Sequence, residues 1–231
     1  NYGKYQPYDT NQKDQCLADF QVVSYVLAEC STVDEVKEAL GKVRIINIDP
    51  RSSTVHWRFT EPSGRQIVLE IVNEKMHFYE NPLGVLTNSP GIEWHWTNLN
   101  NYINLQAGSI DAHEFGDINL SPIGHGSGML GLPGDVTPPS RFVRAAFYQT
   151  TAPVSATAEG AVTQAFTILE AMTIPIGIQY SDKTKIPNIP SATQWTSVTD
   201  MTNNKIYYTT MYNPIIRKFD LNNIDFSNVM Y

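Results

Sequence analysis

Gly126-Ser127-Gly128-Met129-Leu130-Gly131 carries the G-x-G-x-x-G spacing. Between a strand and a helix, that spacing presents free N–H groups and a helix N-terminus to a pyrophosphate. Here Leu132-Pro133-Gly134 follows at once and breaks any helix, so the segment reads as a flexible or ligand-covering loop. Ser127 does not sit in a nucleophile elbow, because Gly124-His125-Gly126-Ser127-Gly128 has the wrong spacing for G-x-S-x-G. The five histidines (His56, His77, His95, His113 and His125) form no H-x-x-x-H pair, and His113-Glu114 lacks the second histidine of H-E-x-x-H. No metal and no cofactor is expected; a metal site is left only to long-range convergence. His56 and His77 fit strand faces, and His95, between Trp94 and Trp96, fits aromatic packing. Carboxylates are many, but nothing selects the facing pair that a glycosidase needs. Arg141 and Arg144 stand three residues apart near a helix start, where positive charge opposes the helix dipole. The residues leave two readings open: one arginine points into a site and pairs with a carboxylate, or both are solvated.

The elements that position these residues are read from periodicity. Residues 14–29 predict a helix, with Leu17, Phe20, Val23, Val26 and Leu27 at helical spacing. Thr32-Val33-Asp34-Glu35 is a capping box that opens a second helix ending near Gly41. The period then changes to two. Strands are expected at 43–48, 54–60, 65–73 and 75–80, with turns at Glu61-Pro62-Ser63-Gly64 and Asn73-Glu74. A short strand from Gly84 to Thr87 runs into Asn88-Ser89-Pro90, where the proline ends it. Residues 92–104 read as a helix and 105–137 as a long glycine-rich loop. Ser140 could cap a helix at 141–149, and another is expected at 158–173. Residues 180–192, with Pro187 and Pro190, read as loop, and strands resume at 193–200, 205–212 and 214–221. Strands, then helices, then strands predict an α+β fold with antiparallel sheet on helices. No domain boundary shows, so residues 1–231 are expected to form one domain.

With 231 residues, 42% of them hydrophobic and 17% charged, the chain can bury a sizeable core and is not disordered. A net charge of −7 with scattered basic residues argues against nucleic acid and anionic lipid as partners. No apolar run approaches the ~18 residues of a membrane span. Cys16 and Cys30 are the only cysteines. On a continuous helix they would stand roughly 21 Å apart, too far for a disulfide, so two buried thiols are expected.

Several segments together resemble one family, the choloylglycine hydrolases, which comprise bile salt hydrolases and penicillin V acylases. They are residues 31–40, Val85-Leu86-Thr87-Asn88-Ser89-Pro90, Trp94-His95 with Asn98-Leu99, Gly128 to Asp135, and Ser140-Arg141-Phe142-Val143-Arg144-Ala145. Thr193-Gln194-Trp195-Thr196 followed by Lys205-Ile206-Tyr207-Tyr208 is similar to the family's late hairpin. The joint presence of Leu-Thr-Asn-Ser-Pro and Ser-Arg-Phe-Val-Arg is the specific part of the match. The resemblance implies a four-layer αββα sandwich of the N-terminal nucleophile (Ntn) hydrolase type. It also implies hydrolysis of a linear amide by an N-terminal cysteine whose own α-amine is the base. By position, Asn88 would supply an oxyanion N–H donor, and Arg141 would hold the charge network around the nucleophile. Arg144 would be structural. The family's N-terminal quarter, with the nucleophile, is not matched: residue 1 is Asn, and Cys16 and Cys30 fall in a later helical region. A sandwich incomplete at that end is expected, with the missing segment on a longer protein or a second chain. The 231 residues alone are then expected to be poorly soluble or inactive.

In the family, a loop before the Thr-x-His-Trp strand lines the substrate pocket. It maps to about 45–53, giving Ile45, Ile46, Ile48 and then Val55 as substrate-binding residues. An apolar pocket suits a steroid or phenoxyacetyl group, although Ile46 and Ile48 are equally a plain strand signal. The residues leave conjugated bile salts, penicillin V and other N-acyl amides as alternatives. Segment 105–137 is similar to the longer loop of tetrameric members, so a homotetramer is expected. The setting is bacterial, cytoplasmic or periplasmic. The competing reading is a non-catalytic binding or structural remnant of the same fold.

Overall fold

A computed structural model describes residues 3–48, 54–180 and 192–228. It divides the chain into two compact units, Asn1–Asn104 and Leu105–Tyr231.

The first unit contains strand β1 (Cys16–Ala18), helices α1 (Val22–Glu29) and α2 (Val33–Gly41), strands β2 (Arg44–Ile46), β3 (Trp57–Thr60), β4 (Gln66–Val72) and β5 (Lys75–Glu80), and helix α3 (Ile92–Asn98). The helix expected from residue 14 begins only at Val22. Leu17 and Ala18 instead pair in parallel with Ile45 and Ile46, and a 3-10 turn over Asp19–Gln21 follows. Tertiary pairing overrides the local period here. Phe20, Val23 and Leu27 are exposed, and Val22 and Val26 are the buried pair of α1. Cys16 therefore lies on a strand and Cys30 at the C-cap of α1; both thiols are free, and both are half-buried rather than buried.

The α2 capping box forms: Thr32 Oγ1 accepts the Glu35 N–H, and the Glu35 carboxylate accepts the Thr32 N–H. Antiparallel pairing orders the sheet β3-β4-β5. Ile67, Leu69 and Ile71 alternate onto the face that packs with Val26, Val36 and Leu40, so period two in β4 meets the helical stripes of α1 and α2. Asn73 and Glu74 both have positive φ, 51° and 65°, as a two-residue hairpin requires. Gly84 to Thr87 form no strand, and α3 stops at Asn98 before a 3-10 turn over Leu99–Tyr102.

The second unit opens with a hairpin inside the expected loop, β6 (His113–Phe115) and β7 (Ile118–Leu120). Helices α4 (Pro138–Thr151) and α5 (Ala158–Glu170) follow, then an antiparallel sheet of β8 (Trp195–Asp200), β9 (Lys205–Thr210) and β10 (Asn213–Asp220). Ser140 is not the cap of α4. Thr137 holds that position and prolines fill the first turn, where their missing N–H costs nothing. The α5 cap is Thr157, whose hydroxyl accepts the Gly160 N–H at 3.0 Å. Gly128 is needed for close backbone approach: a Cβ there would lie 2.4 Å from the Gln106 carbonyl oxygen. Its role is to knit residues 106, 108 and 128 by backbone hydrogen bonds of 3.0 Å. Most of the 180–192 loop, with Pro187 and Pro190, lies outside the described residues. Among the described residues no helix is long and apolar enough to cross a membrane, and no three His, Cys, Asp or Glu side chains gather as a metal site.

Candidate active site

Asn88 stands at the end of an extended segment whose carbonyls are taken by side chains instead of a strand ladder. Arg58 Nη1 donates to the Gly84 carbonyl at 2.7 Å, and Asn81 Nδ2 to the Val85 carbonyl at 3.2 Å. His56 Nε2 lies 2.6 Å from the Thr87 carbonyl oxygen, and His95 Nε2 lies 3.0 Å from that of Asn88. A carbonyl accepts only, so the Nε2 proton is assigned on both rings from these partners. Side chains from β3's row, from the turn after β5 and from α3 thus hold a segment that is not strand among the described residues. This is why the strand expected at Gly84 to Thr87 is absent.

Behind the segment, Glu70 is only 2% exposed. Extending the β3–β4 register from Trp57↔Leu69 sets His56 opposite Glu70, and Nδ1 lies 3.2 Å from Oε1. The same oxygen accepts the Ile92 N–H at 2.9 Å, so Glu70 also satisfies the first backbone donor of α3. One helical turn on, His95 is fully buried and packs edge-on against Trp94 at 5.5 Å. Burial pushes its pKa down, and the hydrogen bond to Asn88 opposes that only in part. The ring at neutral pH is therefore the neutral, Nε2-protonated form. The Ser89–Pro90 peptide between Asn88 and α3 is cis. An open cleft of about 530 Å3 lies beside this cluster, bounded by Glu70, His77, Tyr79, Glu93 and Trp94.

Arg141 lies in the first turn of α4, in the second unit, half-buried. Its Nε donates to the Val136 carbonyl at 3.0 Å. Burial and the nearby Arg144 push its pKa down from the usual guanidinium value. Arg144 is buried and donates from Nη1 to the Pro133 and Asp135 carbonyls, both at 2.7 Å, and from Nε to Ala171 at 3.3 Å. Its contacts are those of a structural staple between the 133–135 turn and the end of α5. Ser140 Oγ donates to Asp135 Oδ2 at 2.6 Å, and with Thr137 it holds that carboxyl down at about 2.

Of the expected substrate residues, Ile45 and Ile46 are buried on β2, while Ile48 and Val55 are exposed. Residues 49–53 of the expected pocket loop lie outside the described residues. Val55 is anchored by its backbone: the Tyr5 hydroxyl donates to its carbonyl at 3.0 Å and accepts its N–H at 2.6 Å. His56, Glu70 and His95 surround the Asn88 segment, and the sequence reading gave none of them a functional role. The available signal was Glu70 itself, a lone carboxylate in the apolar run Ile67-Val68-Leu69-Glu70-Ile71-Val72.

Comparison with known proteins gives this arrangement its class. The model of the linear amide C–N hydrolases of the choloylglycine hydrolase family matches residues 1–230. A bile salt hydrolase/transferase of Clostridium perfringens is 35% identical over 207 residues, 88% of this chain and 62% of that protein. One from Lactiplantibacillus plantarum is 34% identical over 226 residues, 96% of this chain and 67% of that protein. The chain thus spans about two thirds of the length of these relatives. A crystal structure of a conjugated bile acid hydrolase from Clostridium perfringens superposes with a TM-score of 0.84 at 33% identity, over 97% of this chain and 68% of that one. A penicillin V acylase from Agrobacterium tumefaciens shares the fold at a TM-score of 0.75 and 23% identity, over 96% of this chain and 61% of that one. The fold is α+β, of the Ntn hydrolase class. Within that class, the chain belongs to the choloylglycine hydrolase family.

Proposed function

We propose that this chain forms most of an enzyme that hydrolyses a linear amide C–N bond, with conjugated bile salts as the leading substrates. The observation that carries this reading is the family match along residues 1–230, joined by bile salt hydrolases among the relatives. The nucleophile is an N-terminal cysteine thiolate on polypeptide outside these 231 residues, with its α-amine as base. It attacks the amide carbonyl, the C–N bond breaks as the departing amine takes a proton, and water hydrolyses the thioester. Asn88 donates its side-chain N–H to the oxyanion, an interaction that strengthens as negative charge develops. Arg141 supplies fixed positive charge to the nucleophile's network. Neither cysteine in hand suits the nucleophile's role. Burial and the Glu35 and Glu29 carboxylates push the Cys30 thiol up, disfavouring the thiolate, and Cys16 lies within β1.

Ile48 and Val55 offer exposed apolar surface to an acyl group, and buried Ile45 and Ile46 set the strand that leads to them. Burying such a group contributes roughly 25 cal/mol per Å2. The assembly is a homotetramer within a bacterial cytoplasm or periplasm. What supports it is the β6–β7 hairpin, with exposed Phe115 and Ile118 suited to meeting a neighbouring subunit.

The test is intact-mass analysis and N-terminal sequencing of the full polypeptide, with amide cleavage measured on a conjugated bile salt and on penicillin V. A cysteine start with cleavage is expected. Asn1 as the sole start, without cleavage, overturns the reading and leaves a non-catalytic remnant.

A further inference from the structure

Three hydrogen bonds tie the residues around Asn88 to buried or partly buried side chains from separate elements. His56 holds the Thr87 carbonyl, His95 holds the Asn88 carbonyl, and Glu70 holds the Ile92 N–H while meeting His56. We propose that His56, Glu70 and His95 are positioning residues that fix the Asn88 backbone so that its carboxamide is aimed before substrate arrives. The proposal rests on the reading of Asn88 as the oxyanion donor and goes beyond it, by assigning a role to three residues behind that donor.

The chemistry favours aim over packing alone. An oxyanion donor works because its dipole is already oriented and needs no reorganisation during reaction. A misplacement of about 1 Å at such a group costs roughly 10²-fold. A regular strand would hold Asn88 through the ladder, but among the described residues segment 84–88 is not strand, and the carbonyls of Gly84, Val85, Thr87 and Asn88 meet side chains. Plain packing would be served by apolar residues at 56, 70 and 95. Instead a carboxylate 2% exposed and a fully buried imidazole occupy that interior, a costly choice that their hydrogen bonds to Ile92, His56 and Asn88 offset. The carboxylate and imidazoles also link in sequence. Glu70 orients the His56 ring through Nδ1, so Nε2 faces Thr87; it also starts α3, which carries His95 back to Asn88. Changing Glu70 therefore loosens both imidazole contacts together.

The test uses the full polypeptide and a double-mutant cycle on kcat. His56→Ala and His95→Ala are each made alone and in an Asn88→Ala background, with KM and thermal melts recorded. In the unmutated background each histidine variant is expected to lower kcat by about 10- to 10²-fold with KM within about twofold. In the Asn88→Ala background the same changes are expected to leave kcat nearly unaltered, because the group they aim is gone. A purely structural role would lower kcat in both backgrounds alike, and that result overturns the proposal. His56→Gln and His95→Gln retain an N–H donor, are expected to restore a good part of kcat, and carry the same cycle where the alanine variants fail to fold. If Asn88→Ala itself leaves kcat unchanged, the Asn88 reading falls first. If Asn88→Ala is slow while the histidine variants remain fast, only the positioning role falls.

Discussion

His56 faces Glu70 across the first two strands of the sheet, with Nδ1 3.2 Å from Oε1 and the carboxylate almost wholly withdrawn from water. The pair sits where the extension of β3 meets the middle of β4, behind the segment that carries Asn88. His56 meets an oxygen at both ring nitrogens.

Removing Glu70 should therefore be severe. Glu70→Ala leaves the Ile92 N–H and one His56 nitrogen without their acceptor and is expected to destabilise by about 3 kcal/mol. Glu70→Gln keeps an acceptor oxygen of similar reach and should lose clearly less. Urea unfolding of the two variants checks the order, and equal losses would contradict it.

The acid stability of the first unit should centre on Glu80. Arg65 and then Lys37 hydrogen-bond its carboxylate and hold its pKa down from 4.5 to about 2. A depressed carboxylate stabilises the fold above its unfolded pKa, and that contribution disappears as pH falls through the folded value. Stability is thus expected to fall between pH 4.5 and 2. Arg65→Gln should flatten that fall, because Glu80 and Asp34 both lose their guanidinium partner. The group is well exposed, so the amplitude is modest. Melting temperatures at pH 5, 4, 3 and 2 measure it; an unchanged slope in the variant would contradict the assignment.

Cys30 should be chemically quiet. Its thiol is pushed up by burial and by two neighbouring carboxylates. Cys16→Ser with Cys30→Ser in the full polypeptide is expected to leave kcat for amide cleavage within about twofold. A loss above tenfold with normal folding would make one of them a participant.

Much of this fold was legible in residues 32–41 and 57–80. There the capping box, the strand over 65–73 and the Asn73-Glu74 turn each have a local cause, and the structure shows all three. Residues 14–21 were not legible, because Leu17 and Ala18 answer to β2, some thirty residues away, rather than to their own helical period. Gly84 to Thr87 failed for a related reason: side chains take the carbonyls that a strand would pair. Asn88 and Arg141 could be picked out because short segments around them resemble the family. The His56–Glu70–His95 cluster could not, since its members are scattered and meet only through the sheet register and the start of α3.

The central claim is that Asn88 stabilises negative charge on the amide oxygen during attack. Steady-state kinetics of Asn88→Ala in the full polypeptide, on a conjugated bile salt, tests it most directly. A fall in kcat of roughly 10²–10³ with little change in KM is expected. A kcat near that of the unmutated enzyme, in a variant that folds and processes normally, would contradict it.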